Sequence, residues 1–290
     1  MIGSYQKAQK IIRMSAEEKS EHISLCGLRL KQVPPELFNL TWIKTLNLAR
    51  NQIETIPRAI KKLINLETLN LDDNEIKVVC PEIKHLVNLK KLYLYNNKIQ
   101  NIPREIKYLI NLEKLSLGVN EIRAICPEIK YLKNLEYLYL ECNKIEVIPK
   151  EIKYLANLKK LILYSNSIQT ICPEIKYLTK LKELDLSYNK IKTISPQIKY
   201  LAEIEEISLS GNKIKAIPPE IKYLIHLKML LLYNTCIHSI PLEVKHLTNK
   251  QCLRLDWDRI QFMSKSLKNP AMPELDMELK YKLLRNKFTP

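Results

Sequence analysis

Glycine is scarce. Gly3, Gly27, Gly118 and Gly211 are the only four in 290 residues, too few and too far apart for a glycine-rich loop that cradles a phosphate. Core aromatics are scarce too. Three Phe and two Trp leave Leu and Ile to fill any interior, although 46% of the residues are apolar. No stretch approaches the length of a membrane span, and residues 1–14 contain no apolar run long enough for a secretory signal. The seven Cys form an odd set with no CxxC pair, so a reducing, cytoplasmic compartment is expected. No HExxH or GxSxG motif occurs, and His22, His85, His226, His238 and His246 fall on different coils, His85 and His246 at the repeat position otherwise held by Tyr. Nothing supports a catalytic or metal centre, so the expectation is a non-enzymatic protein with no cofactor. Acidic residues are outnumbered 31 to 47, and the resulting net charge of +16 favours acidic partners, nucleic acid or an anionic membrane face.

What the chain has instead is a repeat. From Ile43, steps of 23 residues land on Leu66, Leu89, Leu112, Leu135, Leu158, Leu181, Ile204 and Leu227. Apolar residues recur three and five positions after each start, as in Leu46 and Leu48 or Leu138 and Leu140. An Asn follows at the eighth step: Asn51, Asn74, Asn97, Asn120, Asn143, Asn166, Asn189 and Asn212, with Thr235 ending the run. The Leu-x-Leu alternation predicts a short strand with one face inward. The following IPxEIKYL segment must leave the strand at its proline, which lacks a donor and fixes φ. One such unit cannot bury its own apolar side, so the units must stack, and the Asn amides then bond the backbone of adjacent coils. Residues 1–19 are expected to form a helical cap, with Ser15-Ala16-Glu17-Glu18 as a capping box. Residues 20–260 should form about ten units plus a terminal strand, and residues 261–290 a C-terminal helical cap or tail.

The pattern LxxLxLxxNxI resembles the signature of leucine-rich repeats. The fuller unit IPxxIxxLxNLxxLxLxxN resembles the Ras-group intracellular repeat proteins, which include Ras-suppressor and Scribble-type scaffolds. The resemblance spans roughly residues 20–260. It implies an α/β repeat solenoid: a right-handed horseshoe with a parallel concave sheet and a convex side of extended or 3₁₀ segments. It also implies a protein partner, such as a small GTPase or a phosphatase complex. A monomer is expected.

A period of two units overlies the period of one. Pro57, Cys80, Pro103, Cys126, Pro149 and Cys172 alternate at one position, the mark of a duplicated 46-residue cassette. Cysteines two coils apart, about 10 Å at the strand spacing, are too distant for a disulfide. All seven are expected to be free thiols.

Two surfaces remain. The convex side repeats Lys107-Tyr108, Lys130-Tyr131, Lys153-Tyr154 and their successors, with a Glu two residues before most of the Lys. Basic residues interleaved with aromatics suit nucleic acid or anionic lipid, and this is the alternative reading. The concave side differs in every unit. Its outward positions carry Asp72, Asp73, Tyr93, Tyr95, Asn96, Ser116, Gly118, Tyr137, Tyr139, Glu141, Tyr164, Asp185 and Tyr188. Exposed tyrosines are enriched at protein interfaces. The small residues Ser116 and Gly118 lie between larger neighbours, so a tyrosine-walled trough open to a partner side chain is expected there.

Overall fold

Each 23-residue unit makes one turn of a solenoid. The computed structural model describes residues 3–238, 241 and 253–255. Among these, eleven strands run in sequence order from His22–Ser24 to Leu253–Leu255, each parallel to the one before it, in a single open sheet. Register is set by the leucines: Leu46, Leu69, Leu92, Leu115, Leu138, Leu161, Leu184, Ile207, Leu230 and Leu253 stand opposite one another in turn. A slip of one residue would turn every one of these side chains to solvent. On the other side of the core the chain folds into short 3₁₀ turns such as Pro127–Tyr131 and Lys150–Tyr154. Proline at the start of a turn supplies the fixed φ, and the turn closes when the amide of Leu132 donates to the carbonyl of Ile129 at 3.0 Å. No helix longer than these turns occurs on the convex side among the described residues. Ile129, Leu132 and their equivalents are buried, so one continuous core, mostly Leu and Ile, runs through the described residues from Ala8 to Leu255.

The asparagines do what their spacing implies. Asn120 accepts from the amide of Ile99 at 2.9 Å and donates to the carbonyls of Leu94, Leu117 and Gly118. One side chain thus satisfies backbone groups on two coils that no helix or full ladder reaches. A second ladder runs outside the first. Asn65, Asn88, Asn111, Asn134 and Asn157 each donate to a carbonyl one coil back.

The backbone just before each ladder position is left-handed. Arg50, Asp73, Asn96, Val119, Cys142, Ser165 and Tyr188, each before an Asn, and Asn234, before Thr235, have φ between 52° and 56°. Only Gly27 and Gly211 occupy this conformation with glycine. Repeated strain of this kind persists because the Asn side chain holds the turn from both sides.

At the N-terminal end a helix spans Ser4–Glu17, and Ala8 and Ile12 enter the core. Its first turn is closed by the Gln6 side chain accepting from the Gly3 amide at 3.2 Å. Ser15 does not open a helix. It lies buried in the last turn, where its carbonyl accepts from Ser20 at 2.9 Å. The C-terminal segment 261–290 lies outside the described residues, as do Cys252 and His246. The six described cysteines are free.

Candidate functional site

The concave sheet presents parallel rows of side chains, one residue per coil. Register places Tyr93, Ser116 and Tyr139 side by side. The next row carries Tyr95, Gly118, Glu141 and Tyr164 on successive coils. The two rows together form a tyrosine-rich centre, with Tyr137 beside Lys114 on the neighbouring strand.

The trough expected over Ser116 and Gly118 is filled by the chain's own side chains. Lys114 reaches across Ser116, and its ammonium stands 5.1 Å from the ring centroids of both Tyr93 and Tyr139. A cation between two rings is held by both quadrupoles. Glu141 fills the second gap by lying over Gly118. A Cβ built at that glycine would come within 2.3 Å of Glu141 Oε1. Small residues in a row do not guarantee a cavity when long neighbours can fold into the space.

Glu141 is only 8% exposed. Burial pushes its carboxyl above the usual range, and the charge of Asp185 adds to the effect. Its Oε2 has no hydrogen-bond partner. Around it, Tyr164 is pushed up to about 12, first by burial and then by a hydrogen bond with the Cys142 side chain. Tyr95 is raised by burial and by the nearby Glu141. Asp72 accepts from the amide of Tyr95 at 2.7 Å, yet burial outweighs that bond and raises its carboxyl to about 6. Asp73 accepts from the Asn96 side chain at 2.8 Å.

Two of the expected residues have partners of their own. Asp185 is occupied by Ser187, whose amide and hydroxyl both donate to Oδ1, at 2.9 and 2.6 Å. Tyr188, 62% exposed, leans over Gly211, away from the other tyrosines. Lys114 joins the site from one of the outward positions that the repeat phase defines, whereas Cys142, hydrogen-bonded to Tyr164, is not marked by that phase. Lys114 carried a usable signal, because register sets it one strand from Lys91 and from Tyr137.

The convex surface is uniform. Lys107, Lys130, Lys153 and Lys176 each fold over the ring of the following tyrosine at 5.1 Å, and Lys199 and Lys222 do so at 5.2 Å. Arg58 and Arg104 face Glu82 and Glu128 at 3.6 and 4.0 Å. One edge of the sheet is stitched by ion pairs from coil to coil: Lys44 with Glu21 at 2.8 Å, Lys90 with Glu67 at 2.9 Å, and Lys159 with Glu136 at 2.8 Å.

Two family models match the sequence, one described as leucine-rich repeat over residues 21–76 and one as leucine-rich repeat region over residues 77–204. No curated protein sequence matches the chain. Among solved structures, a leucine-rich repeat protein of Leptospira interrogans is 30% identical with a TM-score of 0.67, covering 78% of this chain and 70% of that one. The plant peptide hormone receptor RGFR1, solved in complex with RGF2, is 25% identical with a TM-score of 0.69, covering 77% of this chain and 37% of the receptor. An internalin of Listeria monocytogenes shares the fold with a TM-score of 0.68 at 21% identity, over 94% of this chain and 85% of that one. Among the described residues no helix is long and apolar enough to cross a membrane.

Proposed function

Because the chain belongs to the leucine-rich repeat family, we propose that it is a non-catalytic protein-interaction module gripping a partner on its concave face, between Asp72 and Tyr164. The observation that carries this reading is the tyrosine centre. Tyr93, Tyr95, Tyr137, Tyr139 and Tyr164 crowd four adjacent coils, with Lys114 and Glu141 among them. Rigid aromatic side chains that are already half-buried lose little freedom on binding, so such clusters make effective anchors. The similar plant receptor, solved in complex with RGF2, supports a protein or peptide ligand.

The 23-residue unit supports a place among the Ras-group scaffolds. By that resemblance the protein is a cytoplasmic monomer whose partner is a small GTPase or a phosphatase complex. The convex alternative, nucleic acid or anionic lipid, is weakened by the lysines already folded onto their own tyrosines and by the glutamates beside them.

The test is affinity capture with the wild type and with the double variant Tyr95→Ala, Tyr139→Ala. Both side chains point away from the core, so the variant should fold. A partner retained by the wild type and lost by the variant supports the concave site. Capture that persists in the folded variant would refute it. A salt titration of the complex separates the alternative, because phosphate binding falls steeply with log salt.

A further inference from the structure

The two rows of the tyrosine centre are built alike but filled differently. In one, tyrosine rings on either side of Ser116 hold the Lys114 ammonium between them at 5.1 Å from each. In the other, Tyr95 and Tyr164 flank Gly118 and Glu141, close enough that Glu141 acts on both phenols and Tyr95 acts on Tyr164. This second row has its aromatic walls and a carboxylate, but among the described residues no cation is paired with Glu141. The charges that act on its members are acidic, Asp185 on Glu141 and Asp72 and Asp73 on Tyr95, while Lys114 stays in the neighbouring row between its two rings.

The carboxylate itself is the second observation. Glu141 is more than nine-tenths buried, and its Oε2 meets no donor. Buried polar atoms are nearly always bonded, so an orphan on a candidate binding face calls for a reason. The lack of a side chain at Gly118 gives Glu141 a place to lie, since a Cβ there would stand 2.3 Å from Oε1 and 2.4 Å from Cδ.

We propose that the Tyr95–Glu141–Tyr164 row is the seat of one cationic side chain, an arginine or a lysine, projecting from the partner. The inference rests on the concave-face reading and names the chemistry of its central contact. In the free protein Glu141 rests on Gly118. An arriving cation draws the carboxylate up between the rings, gives its unpartnered oxygen a charge-assisted hydrogen bond, and takes the position that Lys114 holds in the neighbouring row. The molecule as a whole is basic, so the acidic, aromatic row also selects against attachment elsewhere on its surface.

The test needs no partner. The full chain, with labelled tyrosine rings and glutamate carboxyls, is titrated with N-acetyl-L-arginine amide and, as the neutral control, N-acetyl-L-norleucine amide. Saturable NMR shifts at Tyr95, Tyr164 and Glu141 are expected with the arginine probe only. Glu141→Gln should weaken that binding about tenfold or more, the loss of one charge-assisted contact. Gly118→Ala, whose methyl displaces Glu141 from its resting place, should bind at least as well as the wild type. Three results would overturn the proposal: no saturable response, an equal response to norleucine, or unchanged affinity in a folded Glu141→Gln variant. Loss of binding in a folded Gly118→Ala variant would overturn it as well. Arginine binding without any partner lost by the Tyr95, Tyr139 variant would instead count against the concave-face reading. Partner loss without arginine binding would sink this proposal alone.

Discussion

On the convex surface Tyr131 and Tyr154 have the same neighbours, each about half exposed under the lysine that precedes it. On the concave surface Tyr93 faces Ser116 and a shared lysine, while Tyr137, in the adjacent row two coils on, stands between Lys114 and Lys160. Both surfaces come from the same 23-residue unit. The convex positions are constrained by the turn beneath them and repeat with little change. The concave positions constrain nothing in the core and differ from coil to coil. A uniform surface offers a ligand no register, whereas a varied one defines a single place along the solenoid. The architecture lives in what repeats, and the capacity to discriminate lives in what does not.

The largest effects are expected at residues that belong to neither surface. Leu138 is fully buried in the leucine stack, and Leu138→Ala should cost about 2–5 kcal/mol. Denaturant midpoints measure it, and a cost below that of a surface truncation would contradict the register. Asn120→Ala removes no apolar packing yet strands the Ile99 amide and weakens three carbonyl contacts. A loss of about 2–4 kcal/mol is expected from groups left unpaired in the interior. A loss under about 1 kcal/mol would show that water replaces the amide.

A change in the opposite direction is expected one residue away. Val119 is β-branched and sits at φ 52°, where L-residues pay about 1–2 kcal/mol that glycine does not. Val119→Gly should therefore stabilise the fold by up to about 1 kcal/mol, the strain relieved less the freedom that glycine adds to the unfolded chain and the packing that the valine provides. A destabilised variant would mean that the packing of the side chain and the added freedom of the unfolded chain together outweigh the backbone strain. Tyr131→Ala should cost less than about 1 kcal/mol, because the ring is 47% exposed and its lysine pairing is solvated. It should leave partner capture unchanged. If capture were lost, the convex surface would carry an address after all.

These particulars also show where the sequence was informative. The 23-residue period decides which residues face inward, and with them the sheet, its register and the asparagine ladder, because those depend on backbone phase alone. The rows of the concave face follow from the same phase. Glu141 over Gly118 and Lys114 across Ser116 do not follow from it. A long side chain chooses its rotamer by the space its neighbours leave, and spacing places only the Cα. The left-handed residues were hidden for another reason. Glycine, the usual marker of positive φ, stands at only Gly27 and Gly211 in that series. The N-terminal helix departs from the pattern for a local reason. Ser15 has the composition of a helix start, but Gly3 and Gln6 already close the first turn upstream.

The smallest effect concerns Asp72, at the edge of the tyrosine centre. Burial raises its carboxyl to about 6, against an unfolded value near 3.9. The Tyr95 amide and Lys114 oppose the shift, and Asp73 adds to it. A group whose affinity for protons is higher in the folded state stabilises that state most fully below the unfolded value. Its contribution is then lost as pH rises through the folded value. Asp72 should therefore make the protein less stable on going from about pH 4 to about pH 7. Asp72 is partly exposed, so solvent screening keeps the effect to about 1 kcal/mol or less. Glu67, Glu75 and Glu205 are held below the usual range by their lysines and pull the other way, which hides the Asp72 contribution in the wild type alone. Asp72→Asn isolates it, since an amide oxygen can still accept from Tyr95 while carrying no proton. Urea midpoints for both proteins at pH 4.5 and pH 7.5 give the comparison, with the variant gaining relative to the wild type at the higher pH. An identical change with pH in both proteins would show that Asp72 titrates normally, and that this edge of the concave face is as well hydrated as the convex one.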